Sequence, residues 1–327
     1  MKNFNLLFIF PLFMISMILP LSSSSWFLIW LGLELNLILF IFICMMGKNV
    51  FSSESSMKYF LVQASGSMVL LLCFSVNCLF YDEMTQITLL PPLALALKSG
   101  MAPLHGWVPE VASKFNYFSL LLFFTLQKLN PLIICFYSWS EFMFLLLFFN
   151  LLVGAIGGIS QSSIFMLLVY SSINNMGWMI LSLADSFSLF LVYYFIYCLL
   201  NSIFIFFCEK YNLKWIAQLK MQILSKKIVI FSNFLSLSGL PPFLGFFTKW
   251  LIIYALSMNF MFFVGLAIFS SVITLFFYVK MMITNLTLYV FTNKWLSNQS
   301  QLLNSMLISL SFLFNCSGIF MFNLFLN

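Results

Sequence analysis

Apolar stretches near the length of a membrane-crossing helix follow one another along almost the whole chain, and that feature leaves few folds open. In hydrocarbon every backbone N–H and C=O must find its partner within the protein, so a spanning segment is a helix or part of a closed barrel. A helix needs about 20 apolar residues to cross, and on that ruler the sequence predicts about eleven transmembrane helices. They fall approximately at 4–21, 26–46, 58–80, 84–112, 117–138, 141–159, 163–184, 186–208, 228–256, 260–284 and 304–326. Only 7% of the residues are charged while 63% are hydrophobic, whereas a soluble domain carries about 25% charged residues. The expected fold is an all-α polytopic membrane protein, a single transmembrane domain over residues 1–327.

Loop charge supports the count. Loops on the N-terminal side carry Lys2, Lys48, Lys58, Lys114, Lys210, Lys214, Lys220, Lys226, Lys227 and Lys294, and the opposite loops carry Asp82, Glu83, Glu141 and Asp185. By the positive-inside rule the N-terminus faces the matrix or cytoplasm. The first stretch begins almost at Met1 and no small-residue cleavage site follows, so it reads as a retained helix and not a signal peptide.

Two of the long spans are interrupted in the same way. Leu97-Lys98-Ser99-Gly100-Met101-Ala102-Pro103-Leu104-His105-Gly106-Trp107 returns as Ser238-Gly239-Leu240-Pro241-Pro242-Phe243-Leu244-Gly245, with Ser99 opposite Ser238, Gly100 opposite Gly239, Pro103 opposite Pro242, Gly106 opposite Gly245 and Glu110 opposite Lys249. Matched Gly/Pro-interrupted segments point to a transport machine built from repeats. The fourth and ninth spans enter the bilayer in opposite directions, so the expected repeat is inverted, with two broken helices. Its halves are approximately 26–138 and 141–284, followed by a C-terminal helix at 304–326.

With the loop charges set aside, Glu34, Lys98, Lys128 and Lys249 remain deep within spans. Each costs about 2.5–3.5 kcal/mol at a helix centre, so an intramembrane charge is by default a functional residue, and such groups can relay protons. The alternative is a buried ion pair that only locks helices together, but three cations cannot all be neutralised by one anion. Pro103, Pro241 and Pro242 remove backbone donors and leave carbonyls without helical partners. His105 can pass protons between Lys98 and Lys128, or it can simply hydrogen-bond a carbonyl near the interface beside Trp107. Glu110 is either a proton-uptake group or a solvated carboxylate. Gly154-Ala155-Ile156-Gly157-Gly158, with Ser171, Ser172, Asn174 and Asn175 in the next span, reads as a close-packed polar seam.

Other functions are excluded by what the motifs lack. The lysines form no basic face with interleaved aromatics, which argues against nucleic acid. Cys44, Cys73, Cys78, Cys135, Cys198, Cys208 and Cys316 lie in apolar runs with no CxxC pair, and no metal or other cofactor site is expected. No Gly-rich nucleotide loop or nucleophile triad occurs, so redox chemistry belongs to another chain. Arginine is absent while Phe, Met, Lys and Asn abound, the bias of an AT-rich genome read with a mitochondrial code.

Seven stretches carry a family resemblance. They are Trp30 to Asn36, Lys58 to Gln63, Leu97 to Glu110, Gln127 to Pro131, Gly154 to Gln161, Ser171 to Trp178 and Ser238 to Trp250. In this order they strongly resemble the antiporter-like membrane subunits of NADH:ubiquinone oxidoreductase (respiratory complex I), and among these the mitochondrially encoded chain 2 family. The resemblance implies a fold of two inverted five-helix repeats, lacking three N-terminal helices of the longer members. It implies that Glu34 pairs with Lys98 of the first broken helix, that Lys128 is the central lysine and that Lys249 belongs to the second broken helix. It also implies proton translocation coupled to NADH oxidation and ubiquinone reduction elsewhere in the complex. NADH, FMN, iron-sulfur clusters and ubiquinone would then be bound by other subunits, with chains 4L and 4 and phospholipid as neighbours in the mitochondrial inner membrane. Leu104 and Gly106 flank the histidine where many relatives carry aromatics. The alternatives are a subunit of a stand-alone cation/proton antiporter and a purely structural subunit.

Overall fold

The computed structural model describes residues 2–47, 50–79, 89–221, 224–258 and 260–287, with positions 309, 311–313 and 315–318 beyond them. The loops expected around Lys48, around Asp82 and Glu83, and around Lys294 lie outside the described residues, as does most of the expected C-terminal helix at 304–326. The described residues are helical almost throughout. In chain order the helices are α1 (Lys2–Ser22), α2 (Trp26–Met45), α3 (Val50–Leu79), α4 (Leu90–Ser99), α5 (Trp107–Ala112), α6 (Tyr117–Phe124), α7 (Leu126–Ser138), α8 (Ser140–Gly157), α9 (Ile164–Asp185), α10 (Phe187–Lys210), α11 (Leu224–Ser238), α12 (Leu244–Leu256) and α13 (Met261–Thr287). A 3₁₀ turn, Ile216–Met221, lies between α10 and α11.

Among the described residues, seven helices are long and apolar enough to cross a membrane, and Phe8–Ser22 and Leu244–Leu256 are shorter apolar helices. Of the four expected spans not among these seven, the first is the shorter helix Phe8–Ser22, the C-terminal one lies mostly outside the described residues, and the other two have a local cause. The fourth span divides into α4, of 10 residues, and α5, of 6, and the ninth divides into α11 and α12. None of these pieces alone reaches the roughly 20 residues a crossing needs. The fifth span, Tyr117–Ser138, also departs from a regular helix at Thr125, where φ is −102° and ψ −92°. The sequence gives no glycine or proline at that point.

The chain forms two compact units, Met1–Phe149 and Asn150–Asn327. In the first, α2 packs on α1 and α3, α3 on α4 and α5, and α7 on α1, α4 and α6. The fifth span is its centre: 78% of its apolar window is buried, against 39% for α2 and 33% for α3. Phe40, Tyr59, Trp107, Phe115 and Phe123 cluster with neighbouring ring centroids 5.0–6.5 Å apart. They clamp the start of α5 against α2, α3 and α6.

In the second unit α9 is central, 89% of its window being buried, and it packs on α10, α12 and α13. Ser163 starts it by accepting from the Met166 N–H at 3.3 Å, and Ser186 caps α10 through the Leu189 N–H at 3.4 Å, the side-chain capping that satisfies orphan donors. The polar seam expected from the sequence is tightly packed. A Cβ on Gly154 would lie 2.5 Å from the Asn174 backbone nitrogen, so α8 and α9 approach with no side chain between them. Ser171, Ser172 and Ser182 each donate to the carbonyl three residues earlier, which satisfies these hydroxyl donors within the helix itself.

Candidate functional site

The first break follows α4. Gly100 has φ +71°, a left-handed geometry that glycine adopts without steric cost. Its N–H donates to the Leu97 carbonyl at 3.2 Å and the Met101 N–H to the Ala96 carbonyl at 3.0 Å, the two bonds of a Schellman motif. Lys98 sits in the last turn of α4 and is only 6% exposed. Its ammonium has no hydrogen-bond partner among the described residues, while its own carbonyl accepts from Gln63 Nε2 at 3.0 Å. Gly66 on α3 leaves room for its stem, since a Cβ there would lie 3.2 Å from Lys98 Cγ.

Glu34, on α2, is half-buried and close enough to act on Lys98 electrostatically. The two are not within ion-pair distance. Ion pairs among the described residues include Lys58–Glu54, Lys58–Glu110 and Lys114–Glu54, all three at least partly exposed. The pairing implied by the resemblance is therefore a through-space interaction in this structure and not a contact. A lysine in the final turn of a helix also faces the negative end of the helix dipole, so Lys98 has favourable electrostatics without a touching carboxylate.

The second break repeats the first in its backbone. Gly239 has φ +86°, its N–H donates to the Ser236 carbonyl at 3.1 Å, and the Leu240 N–H donates to the Leu235 carbonyl at 3.2 Å. Every donor and acceptor stands at the position aligned with its counterpart in the first break. The lysine, however, comes from the other side of the glycine. Lys249 lies on α12, is 5% exposed, and reaches back so that Nζ donates to the carbonyls of Ser238 at 2.8 Å and Leu237 at 3.3 Å. Those carbonyls end α11 and have lost their helical donors. Nζ also lies 5.3 Å from the ring centroid of Trp178 on α9, a cation–π distance. Asn175, Tyr193, Tyr197 and Thr248 join Lys249 around a small cavity with room for roughly one water molecule.

Lys128, the third buried lysine, is 3% exposed on α7, three residues past the irregular Thr125, with Nζ 5.6 Å from the Phe124 ring centroid. Its N–H donates to the Thr125 carbonyl at 3.2 Å. Beside it, Gln127 and Asn36 exchange hydrogen bonds and Tyr59 joins them. Asn130 Nδ2 donates to the Met17 carbonyl at 3.0 Å and ties α7 to α1.

The two remaining candidates are more exposed than this buried set. His105 is half-buried in the first break, its Nδ1 3.2 Å from the Pro103 carbonyl, the arrangement of the plainer alternative weighed from the sequence. Glu110 is exposed and takes Lys58 at 3.0 Å. Glu54 completes that surface network, through Lys58 and Lys114, and sequence reasoning did not single it out. It also passed over Gln63, Gly66 and Trp178 as neighbours of lysines. Gln63 and Trp178 stood inside stretches that carried the family resemblance, but nothing in a one-dimensional pattern says which lysine they face. Among the described residues no group of three or more His, Cys, Asp or Glu could hold a metal ion.

Comparison with known proteins gives a consistent answer. Residues 23–90 and 77–274 match the family described as NADH:quinone oxidoreductase/Mrp antiporter, TM. NADH-ubiquinone oxidoreductase chain 2 of Anopheles gambiae is 36% identical over 311 residues, covering 91% of this chain and 90% of the relative. A chain of respiratory complex I from Thermus thermophilus with bound aureothin shares the fold with a TM-score of 0.73 at 20% identity, covering 94% of this chain and 76% of that one. A chain of the Mrp complex from Dietzia sp. does so with a TM-score of 0.72 at 18% identity over 83% of this chain, which spans 58% of that chain's length. With fold, breaks and sequence in agreement, this polytopic membrane chain belongs to the NADH-ubiquinone oxidoreductase chain 2 family of antiporter-like subunits.

Proposed function

We propose that this chain is a proton-translocating subunit in the membrane arm of respiratory complex I, in the mitochondrial inner membrane with its N-terminus toward the matrix. Other subunits of the complex carry NADH, FMN, the iron-sulfur clusters and ubiquinone, with chains 4L and 4 as membrane neighbours and phospholipid around them. Relatives that share more than a third of their residues over nine-tenths of the chain support this setting. The two like breaks support an inverted repeat of about eleven spans, since matched discontinuous helices mark the ion sites of such transporters.

The relay rests on one observation: Lys98, Lys128 and Lys249 are each at least nine-tenths buried, at or beside three separate irregularities of the helical backbone. A lysine buried within a membrane span is costly, so its presence points to a functional role. In the proposed cycle, quinone reduction elsewhere changes the field at Glu34, which alters how firmly Lys98 holds its proton. Lys128 receives that charge displacement through the same unit, and Lys249 continues the relay in the second unit. His105, half-buried beside the first break, serves as a proton carrier between Lys98 and Lys128.

Two measurements test this in order. On a native gel of gently solubilised membranes, the chain should comigrate with NADH dehydrogenase activity in one very large band. A small particle without that activity would instead favour a cation/proton antiporter, a reading supported by the Mrp likeness in fold. Within the assembled complex, Lys98→Met and Lys128→Met should each lower the protons moved per NADH oxidised; full pumping in either assembled variant would overturn the relay and favour a structural role.

A further inference from the structure

The helix that carries Glu34 and the helix that carries Lys128 are joined by an interaction the relay does not use. Asn36 lies two residues past Glu34 on α2, and Gln127 immediately precedes Lys128 on α7. Asn36 Nδ2 donates to Gln127 Oε1 at 3.0 Å, and Gln127 Nε2 donates back to Asn36 Oδ1 at 3.2 Å. Tyr59 on α3 donates its hydroxyl to the same Gln127 Oε1 at 3.2 Å. Asn36 is 4% exposed, Gln127 7% and Tyr59 2%, so water cannot readily replace a lost partner.

This geometry is more than a buried amide finding a neighbour. Two antiparallel amide bonds fix both distance and orientation, and both bonds strain together if either helix shifts. The Gln127 end of the bridge begins just past Thr125, whose backbone lies outside helical geometry. At that point α7 has lost the continuity with α6 that would otherwise hold its first turn. The amide pair replaces that restraint with one from α2. Four residues along α3 from Tyr59, on the same face, Gln63 holds the Lys98 carbonyl at 3.0 Å. One face of α3 therefore touches both the first lysine's backbone and the bridge.

We propose that Asn36, Gln127 and Tyr59 are positioning residues that tie Lys128 to the segment bearing Glu34, so that a shift of that segment is delivered to the central lysine. This inference rests on the relay reading given above. It assigns no proton to the amides themselves, which act by holding the start of α7 in register.

The test uses the assembled complex in membranes carrying the substituted chain. Asn36→Leu and Gln127→Leu are made singly and together, beside the exchanged pair Asn36→Gln with Gln127→Asn. Assembly, NADH oxidation and protons moved per NADH are read for each. Each single change should lower the proton ratio while NADH oxidation continues, and the double change should lose no more than the worse single one, because both remove the same interaction. The exchanged pair should recover most of the ratio. Full pumping in an assembled single variant, additive losses in the double, or an assembled exchanged pair that stays low would overturn the bridge. Should the leucine variants fail to assemble, Tyr59→Phe deletes one hydroxyl and is read the same way: a lowered ratio supports the bridge and a full ratio removes it. Lys128→Met separates the two levels. If it pumps fully, the relay reading itself fails; if it does not pump while Asn36→Leu does, only the bridge fails.

Discussion

The two broken helices have the same backbone and opposite chemistry at the lysine. Both end in a left-handed glycine with the same pair of hydrogen bonds, at aligned positions. At the first break the lysine precedes the glycine and its ammonium has no hydrogen-bond partner among the described residues. At the second the lysine follows the glycine, and its ammonium is fixed by two carbonyls and the face of Trp178. On the proposed relay, the affinity of Lys98 for its proton is thus open to a distant charge such as Glu34. Lys249 instead sits in a field supplied by rigid backbone dipoles. A broken helix supplies the carbonyls, and the side of the break from which the lysine arrives decides whether it uses them.

The sharpest way to break the comparison is at the glycine that opens the second half of each break. Gly106 and Gly245 are aligned, yet a Cβ on Gly245 would lie 1.7 Å from the Ser236 carbonyl oxygen while one on Gly106 would meet nothing within 4 Å. A backbone oxygen cannot swing aside as a side-chain tip can. Gly245→Ala should therefore force α12 away from the end of α11, destabilising the chain by about 3 kcal/mol. On a native gel the assembled band should be much weakened. Gly106→Ala should leave that band unchanged, and equal loss in both would mean that the two breaks are packed alike after all.

Next in size is the loss of the lysines themselves. Lys249→Met leaves the Leu237 and Ser238 carbonyls without their donor, and charge-assisted bonds of this kind are worth about 1.5–3 kcal/mol each before the saved desolvation of the ammonium is counted. A net loss of about 2 kcal/mol is expected, seen as a lower temperature of thermal inactivation. Among the described residues Lys98→Met breaks no hydrogen bond at the ammonium, and it should hold its inactivation temperature, although both variants should pump poorly. A Lys98→Met protein as heat-labile as Lys249→Met would show that the first ammonium is anchored too.

These contrasts mark how much was legible in the sequence. Helical class, the two breaks, their aligned glycines and the three buried lysines followed from apolar length, Gly/Pro punctuation and the cost of charge in hydrocarbon. The seam at Gly154 followed from small-residue spacing. The irregularity at Thr125 did not, because no residue type there demands it and only packing around the fifth span reveals it. Nor could the sequence show that Lys249 reaches backward across Gly239, or that Trp178 covers it, since both depend on how separate helices meet. The Glu34–Lys98 pairing was implied by the family resemblance, and in the structure the two interact electrostatically beyond ion-pair distance. Sequence order can say that two charges share a unit, but it does not set the ångströms between them.

Trp178 gives a smaller test on the anchored side. Replacing it with leucine keeps a large apolar side chain but removes the ring 5.3 Å from the Lys249 ammonium. A desolvated cation–π contact is worth about 2 kcal/mol, less the dispersion that leucine restores, so about 1 kcal/mol should be lost from thermal stability. In a Lys249→Met background the same change should cost measurably less, because the cation is already gone. An undiminished cost there would assign Trp178 to packing alone.

The smallest effect on stability is expected at Gly66, and it bears on the free side of the comparison. Gly66 lies within α3, where alanine would gain about 1 kcal/mol in helix propensity over glycine. Against that gain, its Cβ would stand 3.2 Å from Lys98 Cγ, 3.3 Å from Leu97 Cδ2 and 3.4 Å from the Ala94 carbonyl oxygen. The Lys98 contact is with a flexible stem that can yield by a few tenths of an ångström, so crowding offsets the gain and the net change in stability should be near zero. The stem that yields is the one carrying the unanchored ammonium, and among the described residues no hydrogen bond holds Nζ in place while it does so. Gly66→Ala should therefore leave thermal inactivation unchanged and lower protons moved per NADH. Unchanged pumping beside unchanged stability would mean that Lys98 tolerates displacement of its stem, and the contrast with the fixed Lys249 would lose its functional meaning.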